Sequence, residues 1–315
     1  MTFMSEKLTM PTPSTSSTSS ASSTSAATLS AQTANMQTVN VELPTTVIQP
    51  SHGWSSLGLR DIWEYRELLY LLVWREVRGT YRQTALGASW LFVRPLLNML
   101  MLSLVFGGLV KIKPDDNLPY PLFSLAALLP WGFFSNAVLR AAGSLVLNME
   151  IISKVYFPRM IIAIAGALSG LADFVAALII LLIAMLIYGK PLRIEMIWIP
   201  ALLFVSLLFA LTVGLWLATL SVKYRDVSFA VNFLLQAMMY LSPVIYPVNL
   251  VPASLQGVYR LNPMTGIIEG FRWAMLGSGH PPDTTFYISM CIMLVALVAG
   301  AFVFRRTERT IVDVL

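Results

Sequence analysis

The 315-residue chain is 57% hydrophobic and only 12% charged, with a mean hydropathy of +0.71, whereas soluble domains carry about 45–50% apolar and about 25% charged residues. This composition nearly excludes a water-soluble enzyme, and a single cysteine and two histidines far apart in sequence argue against a disulfide framework or a metal centre built from Cys or His. The net charge of +5 would suggest nucleic acid in a soluble protein, but here the basic residues lie beside hydrophobic runs, where they set orientation in a membrane.

Residues 1–56 are predicted to form a disordered cytoplasmic tail. Fifteen positions between Thr12 and Thr33 are Ser or Thr, and so polar a stretch has too few apolar residues to bury a core. No apolar run of about 7 to 15 residues follows a basic start, so the pattern does not predict a secretory signal peptide. We therefore expect the first membrane helix to direct targeting.

Residues 59–84 are predicted to form an amphipathic interface helix. Arg75, Arg78 and Arg82 recur at intervals of three and four, which places them on one face of a helix, with tryptophans and leucines on the other. Such a helix usually lies in the headgroup layer on the cytoplasmic side. A functional surface and a plain membrane anchor are both compatible with this pattern.

Six later segments meet the requirement of about 20 mainly apolar residues for crossing about 30 Å of hydrocarbon. They are residues 91–110, 121–147, 160–188, 198–222, 228–247 and 286–304. With the N-terminus in the cytoplasm, thirteen Lys and Arg residues flank the spans on the inner side and six on the outer side. Because cytoplasmic loops are enriched in basic residues, the sequence predicts an all-α membrane protein with six spans and both termini inside.

The inner loop between the second and third spans, residues 148–159, is not a simple turn. Charged residues surround aromatic ones and a proline that can open the next helix; the set is Glu150, Lys154, Val155, Tyr156, Phe157, Pro158 and Arg159. A short amphipathic helix with exposed aromatics is a surface that a partner protein can bind. An interfacial turn that rests its aromatics among lipid headgroups explains the loop equally well.

Residues 242–283 form a second unusual stretch, which the topology places on the outer side. Pro243 and Pro247 end the fifth span, and residues 261–276 have an apolar periodicity too short and interrupted to cross the bilayer. Because backbone that dips into a membrane must be satisfied by protein or water, the pattern indicates a re-entrant or interfacial helix pair, able to act as the lid of a conduit. A surface helix without a gating role is the alternative.

Two ionisable residues, Arg140 and Asp173, fall inside predicted spans. Charges inside a membrane are costly and normally face a bundle interior or a cavity, often as a pair. The two roles open to them are a polar contact in a translocation path and a buried pair that locks two helices together. The sequence leaves open whether they meet within one subunit or between two.

Sequence motifs for catalysis are missing. The chain contains no GxxxxGK[ST] phosphate loop, no HExxH and no GxSxG, so it is not expected to hydrolyse a nucleotide or to carry one of these catalytic sites. Asp115 and Asp116 are adjacent on a short outer loop and are best explained as a solvated turn. We predict no catalytic residues, no metal and no cofactor bound by this chain.

Six motifs occur in an order that resembles a known family. They are LGASWLFVRPLLNMLMLSLVF at 86–106, LPWGFF at 129–134, KVYFPR at 154–159, KYRDV at 223–227, SPVIYP at 242–247 and NPMTGIIEGFRWAML at 262–276. Together they resemble the permease subunit of type-2 ABC exporters, in the branch that exports lipid-linked O-antigen, capsule or teichoic-acid polysaccharides. The resemblance covers about residues 57–315 and leaves the serine-rich tail unexplained.

The resemblance implies a homodimer in the bacterial inner membrane, joined to two copies of a separate ATPase that binds ATP and Mg, with a lipid-diphosphate-linked polysaccharide as substrate. The segment from Glu150 to Arg159 would be the coupling helix, and Arg225 and Asp226 would belong to the inner loop. Arg75, Arg78 and Arg82 of the interface helix would lie beside the coupling helix, where the lipid diphosphate end of the substrate would approach them, since Arg side chains suit phosphate oxygens. The outer gate would include Pro243, Tyr246, Pro247, Asn262, Pro263, Glu269 and Arg272. The competing functions are an exporter of a drug or small lipid and a membrane glycosyl or phosphoryl transferase.

Overall fold

The computed structural model describes residues 59–82, 87–114, 118–152, 154, 157–224 and 226–314. The predicted tail of residues 1–56 lies outside the described residues, as do Val155, Tyr156 and Arg225, and of Arg82 only the backbone is described. All regular secondary structure in these ranges is helical. The all-α prediction is therefore confirmed for the part of the chain that is described.

The α-helices of the described residues are numbered here in chain order. They are α1 (Leu59–Glu64), α2 (Arg66–Arg82), α3 (Trp90–Leu102), α4 (Tyr120–Leu147), α5 (Met149–Ile152), α6 (Met160–Ser169), α7 (Leu171–Ile187), α8 (Ile199–Lys223), α9 (Val227–Tyr240), α10 (Ala253–Arg260), α11 (Pro263–Leu276) and α12 (Thr284–Val314). Short 3₁₀ turns precede α3 and α8, and a π-helix, Ser103–Leu109, continues α3.

Five helical segments are long and apolar enough to cross a membrane: Gly87–Leu109, Tyr120–Leu147, Met160–Ile187, Ile194–Lys223 and Thr284–Thr307. They agree with the first four predicted spans and the last. The third is divided at Gly170 into α6 and α7, and α12 continues to Val314, beyond the predicted end at residue 304.

The fifth predicted span, residues 228–247, differs from the structure. Its helix, α9, is only 14 residues long and ends at Tyr240, because Pro243 lacks an N–H to continue the ladder and its ring disfavours helical geometry in the residue before it. Residues 241–247 instead form a turn. A helix of this length is shorter than the roughly 20 residues that a full crossing requires, so the fifth predicted span, and with it a total of six, remains a prediction.

The core of the helical bundle lies around α4. Three aromatic contacts in this core join four helices. Phe134 of α4 stacks on Phe209 of α8, with 4.8 Å between the ring centroids. Phe174 of α7 meets two rings edge-on, Phe133 of α4 at 5.9 Å and Phe271 of α11 at 6.0 Å. Four of these rings are at most 4% exposed. Offset and edge-on aromatic pairs add to the energy of burial itself.

The first span has the opposite character. Neither α3 nor the π-helix contains a buried residue, although the mean hydropathy of this segment, 1.6, equals that of the second span, which is largely buried. Such a surface is stable only against lipid or another protein chain.

Candidate functional site

At the end of the bundle that the sequence predicts to face the cytoplasm, helix α2 packs against the bundle rather than standing apart from it. Leu72 is 7% exposed and belongs to a cluster with Phe157, Ile161, Ile162 and Ala165 at the start of α6. The predicted face is also present, since Arg75 and Arg78 are exposed. The amphipathic pattern therefore reflects both an apolar face buried on the bundle and a basic face toward the surroundings.

A hydrogen bond links this helix to the second span. Arg75 Nη2 donates to Asn148 Oδ1, at the point where α4 ends, and Asn148 Nδ2 donates to the carbonyl of Ser144 at 2.9 Å. A groove of about 450 Å³ lined by Arg75, Asn148 and Glu150 opens beside this contact. The interface helix and the inner loop thus form one continuous surface.

One aromatic residue of the inner loop differs from the expectation from sequence. Phe157, expected as an exposed aromatic, is only 5% exposed and packs in the cluster with Leu72, because the apolar faces of α2 and α6 enclose it. The described helical part of the loop is α5, only four residues long. Glu150 and Lys154 are exposed, whereas Pro158 and Arg159 are half-buried just before α6.

Arg140 and Asp173 meet within one chain. Arg140 Nη1 donates to Ser169 Oγ at 2.5 Å and Nη2 to Asp173 Oδ2 at 3.4 Å, so one guanidinium joins α4 to both halves of the third span. Gly166 permits this approach, since a Cβ there would lie 3.2 Å from the Arg140 carbonyl oxygen. Asp173 also lines a cavity inside the bundle.

At the end of the bundle that the sequence predicts to face outward, Arg272 and Tyr120 hold the turn that follows α9. The Arg272 side chain is buried, its guanidinium carbon lies 3.5 Å from the centroid of the Phe123 ring, and Nη2 donates to the carbonyl of Val244 at 3.3 Å. The Tyr120 hydroxyl donates to the carbonyl of Ile245 at 2.8 Å. These bonds satisfy two carbonyls of the irregular turn, where no helical ladder supplies backbone partners.

Asn262 connects the same turn to α11. Its Oδ1 accepts the Met264 N–H at 3.0 Å and caps the helix, with Pro263 in the first turn, while its Nδ2 donates to Ser242 Oγ at 3.1 Å. Tyr246 adds a bond from its hydroxyl to the Tyr240 carbonyl at 2.7 Å. Pro243 and Pro247 are buried between these anchors.

A second polar group at this predicted outer end surrounds Glu269. This carboxyl is half-buried on α11 and lines a cavity of about 460 Å³ with Arg260 and His280. Burial raises the pKa of Glu269 above its usual value, and the nearby positive charges of His280, Arg260 and Arg272 only partly offset this. Arg260 in turn pairs with Asp283 at 3.5 Å.

The structure thus gathers the residues singled out in the sequence into three groups: the inner surface around Arg75 and Glu150, the intramembrane pair, and the outer turn with α11. Asp226 lies apart from them, exposed at the start of α9. Ser169, Asn148 and Tyr120 were missed, because a polar residue in an apolar helix gives no local signal of its partner. In the described residues, no group of three His, Cys, Asp or Glu side chains could hold a metal ion.

The five long apolar helices and the intramembrane ion pair define a multi-pass α-helical membrane protein. This chain belongs to the ABC-2 type transporter family, whose sequence profile matches residues 67–276, so the resemblance noted above is confirmed.

Similar proteins include the O-antigen export system permease protein RfbA of Myxococcus xanthus, 29% identical, with 79% of this chain and 96% of the relative covered. The inner membrane transport permease YadH of Escherichia coli (strain K12) is 25% identical, with 76% and 91% covered. The polysialic acid transport protein KpsM of Escherichia coli is 24% identical, with 77% and 93% covered.

Proposed function

We propose that this chain is the membrane subunit of an ATP-driven exporter that moves a lipid-linked polysaccharide across the cytoplasmic membrane. The observation that carries the proposal is the likeness over almost the whole length of two relatives named for O-antigen export and polysialic acid transport. All the relatives described above are named as permeases or transport proteins, which favours transport over a glycosyl or phosphoryl transferase.

ATP hydrolysis is assigned to a separate subunit. The chain has no phosphate loop, while its inner surface offers the groove beside Arg75, Asn148 and Glu150 and the exposed Lys154. We assign this surface to the ATPase. Phe157 and Leu72 fix it to the bundle, so that a push on the loop moves α2 and α6 as a rigid body.

The outer turn and α11 are assigned to a gate that closes the path at rest. In this proposal α9 and residues 241–276 together make up the fifth span and the re-entrant helix pair. With this span the chain crosses the membrane six times and both termini lie in the cytoplasm. The buried Arg272 and the Asn262 cap support a re-entrant segment, because irregular backbone in a membrane must be satisfied by protein.

A deletion strain tests the function. Without this chain we expect long polysaccharide to disappear from the cell surface and lipid-linked polymer to accumulate inside, and a plasmid copy should restore export. Normal amounts of surface polysaccharide in the deletion strain would reject the proposal. Loss of resistance to a toxic small molecule with unchanged polymer would instead favour a drug exporter.

A further inference from the structure

A cavity of about 340 Å³ opens between the first, second and third spans and α9. The first two spans cross in opposite directions, and the end of the first meets the start of the second, since a Cβ on Gly107 would lie 3.1 Å from Tyr120 Cβ. Residues early in the first span therefore lie level with residues late in α4.

This cavity has a polar end and an apolar end. Arg94 and Asn98 of α3 and Asn136 of α4, with the rings and methyl groups of Trp90 and Leu91 beside them, line the end toward the N-terminus of the first span. Leu102 and Leu125 line the other end. With the N-terminus in the cytoplasm, the polar end faces the inner leaflet. The cavity thus has the same polarity as a lipid of that leaflet, with its headgroup toward the cytoplasm.

The charge of the polar end is positive. Arg94 lies beside the ring of Trp90, 5.8 Å from its centroid, and among the described residues it has no acidic partner. Asp173 also reaches the cavity, but its carboxylate accepts a hydrogen bond from Arg140. A guanidinium with amide donors nearby suits the oxygens of a phosphate.

We infer that this cavity binds the phosphate end of the lipid carrier of the exported polymer, with the phosphate on Arg94 and the first part of the tail between Leu102 and Leu125. The inference rests on the proposed function, which supplies a lipid-linked substrate. At the low end of the roughly 300–1,000 Å³ typical of small-ligand sites, the cavity suits a headgroup with one chain, as in a polyprenyl phosphate, better than the two chains of a phospholipid.

Gly132 provides a position from which a side chain can be built into the cavity. It lines the cavity, and a Cβ at this position would meet no atom within 4 Å. Gly132→Leu therefore occupies the ligand space while strengthening the helix locally. Gly257 on α10 is an equally open helical glycine that does not line the cavity, which makes Gly257→Leu the matched control.

Binding of a fluorescent polyprenyl monophosphate to the full-length protein in nanodiscs tests the site. We expect Arg94→Gln to weaken binding about tenfold, the loss typical of one charge-assisted contact. Gly132→Leu should weaken it at least as much, and Gly257→Leu should leave it unchanged. Unphosphorylated polyprenol should bind the wild type about as weakly as the phosphate binds Arg94→Gln.

Three results would overturn the inference. Wild-type affinity in Arg94→Gln or Gly132→Leu would place the lipid elsewhere. Equal competition by phosphatidylglycerol would make the cavity a site for ordinary membrane lipid, and competition by inorganic phosphate would make it a site for the anion alone. The function is judged separately. If polymer export depends on this chain but the variants bind the lipid normally, only the site is rejected. If the variants lose binding but deletion of the chain leaves export intact, only the function is rejected.

Discussion

Among single side chains, Arg140 has the clearest energetic role. It is the cation that faces Asp173 in the bundle, and the two side chains are only 17% and 20% exposed. Arg140→Leu should lower the free energy of unfolding by about 1–3 kcal/mol, below the range for fully buried pairs, because the carboxylate then loses the hydrogen bond and the counter-charge of Arg140. Thermal and denaturant unfolding of the solubilised protein measures this.

The double variant Arg140→Leu/Asp173→Leu separates the pair from other effects. Removing both charges should recover much of the loss, since no unpaired ion remains. Glu195→Gln serves as the control, because the Arg193–Glu195 pair is exposed and exposed ion pairs contribute little to stability. A double variant less stable than Arg140→Leu would contradict the locking role.

Glu269 makes the stability of the outer segment depend on pH. Because its pKa is raised in the folded state, the folded protein binds this proton more tightly than the unfolded chain. The contribution is fully present below the ordinary value of about 4.5 and is lost as pH rises through the raised value. Glu269→Gln should therefore raise the Tm at pH 8 relative to wild type and lose this advantage near pH 4.5, and an advantage of equal size at both pH values would contradict the role of this carboxyl.

At the scale of helices, the contact between α4 and α8 depends on Gly214. A Cβ there would lie 2.6 Å from that of Ala141, closer than two carbons can approach. Gly214→Ala should destabilise the protein by about 1–3 kcal/mol through overpacking, measured by thermal unfolding. Adding Ala141→Gly returns the missing volume and should restore part of the stability, and a lack of rescue would count against a contact through these two positions.

The inner loop should fail in two distinguishable ways. Phe157→Ala removes a buried ring that anchors the loop, at a cost of about 3–5 kcal/mol if the site does not collapse, and should loosen the loop and reduce export together. Lys154→Ala changes an exposed residue and should leave unfolding unchanged while weakening coupling to the ATPase. Measurements of protease sensitivity of the loop and of polymer export distinguish the two variants. A Phe157→Ala protein that is stable but does not couple ATP hydrolysis to export would mean that Phe157 itself contacts the ATPase.

Helix positions were predictable where apolar runs were long, and four spans and the last match the structure closely. The end of α9 and the break at Gly170 were not, since both depend on turn geometry inside a continuous apolar run. The basic face of α2 was predicted from spacing alone. The burial of Phe157 and the partners of Arg140 depend on which helices pack together, and spacing along one helix does not encode that.

At the scale of the whole molecule, the first span requires a partner surface. None of the residues of α3 or the π-helix is buried within the chain, and we expect a second copy to cover part of them. The purified protein should then have twice the chain mass of 34.8 kDa by native mass spectrometry. A single-chain mass in gentle detergent would contradict the homodimer.

The contact of Arg272 with the Phe123 ring also has an evolutionary consequence. One buried cation is held by a ring on another helix and by a carbonyl of the outer turn, so neither residue can be replaced without leaving the other poorly matched. Substitutions at positions 123 and 272 should therefore occur together among descendants of this protein. The lengths of the segments between these positions should also vary less than the length of the serine-rich tail.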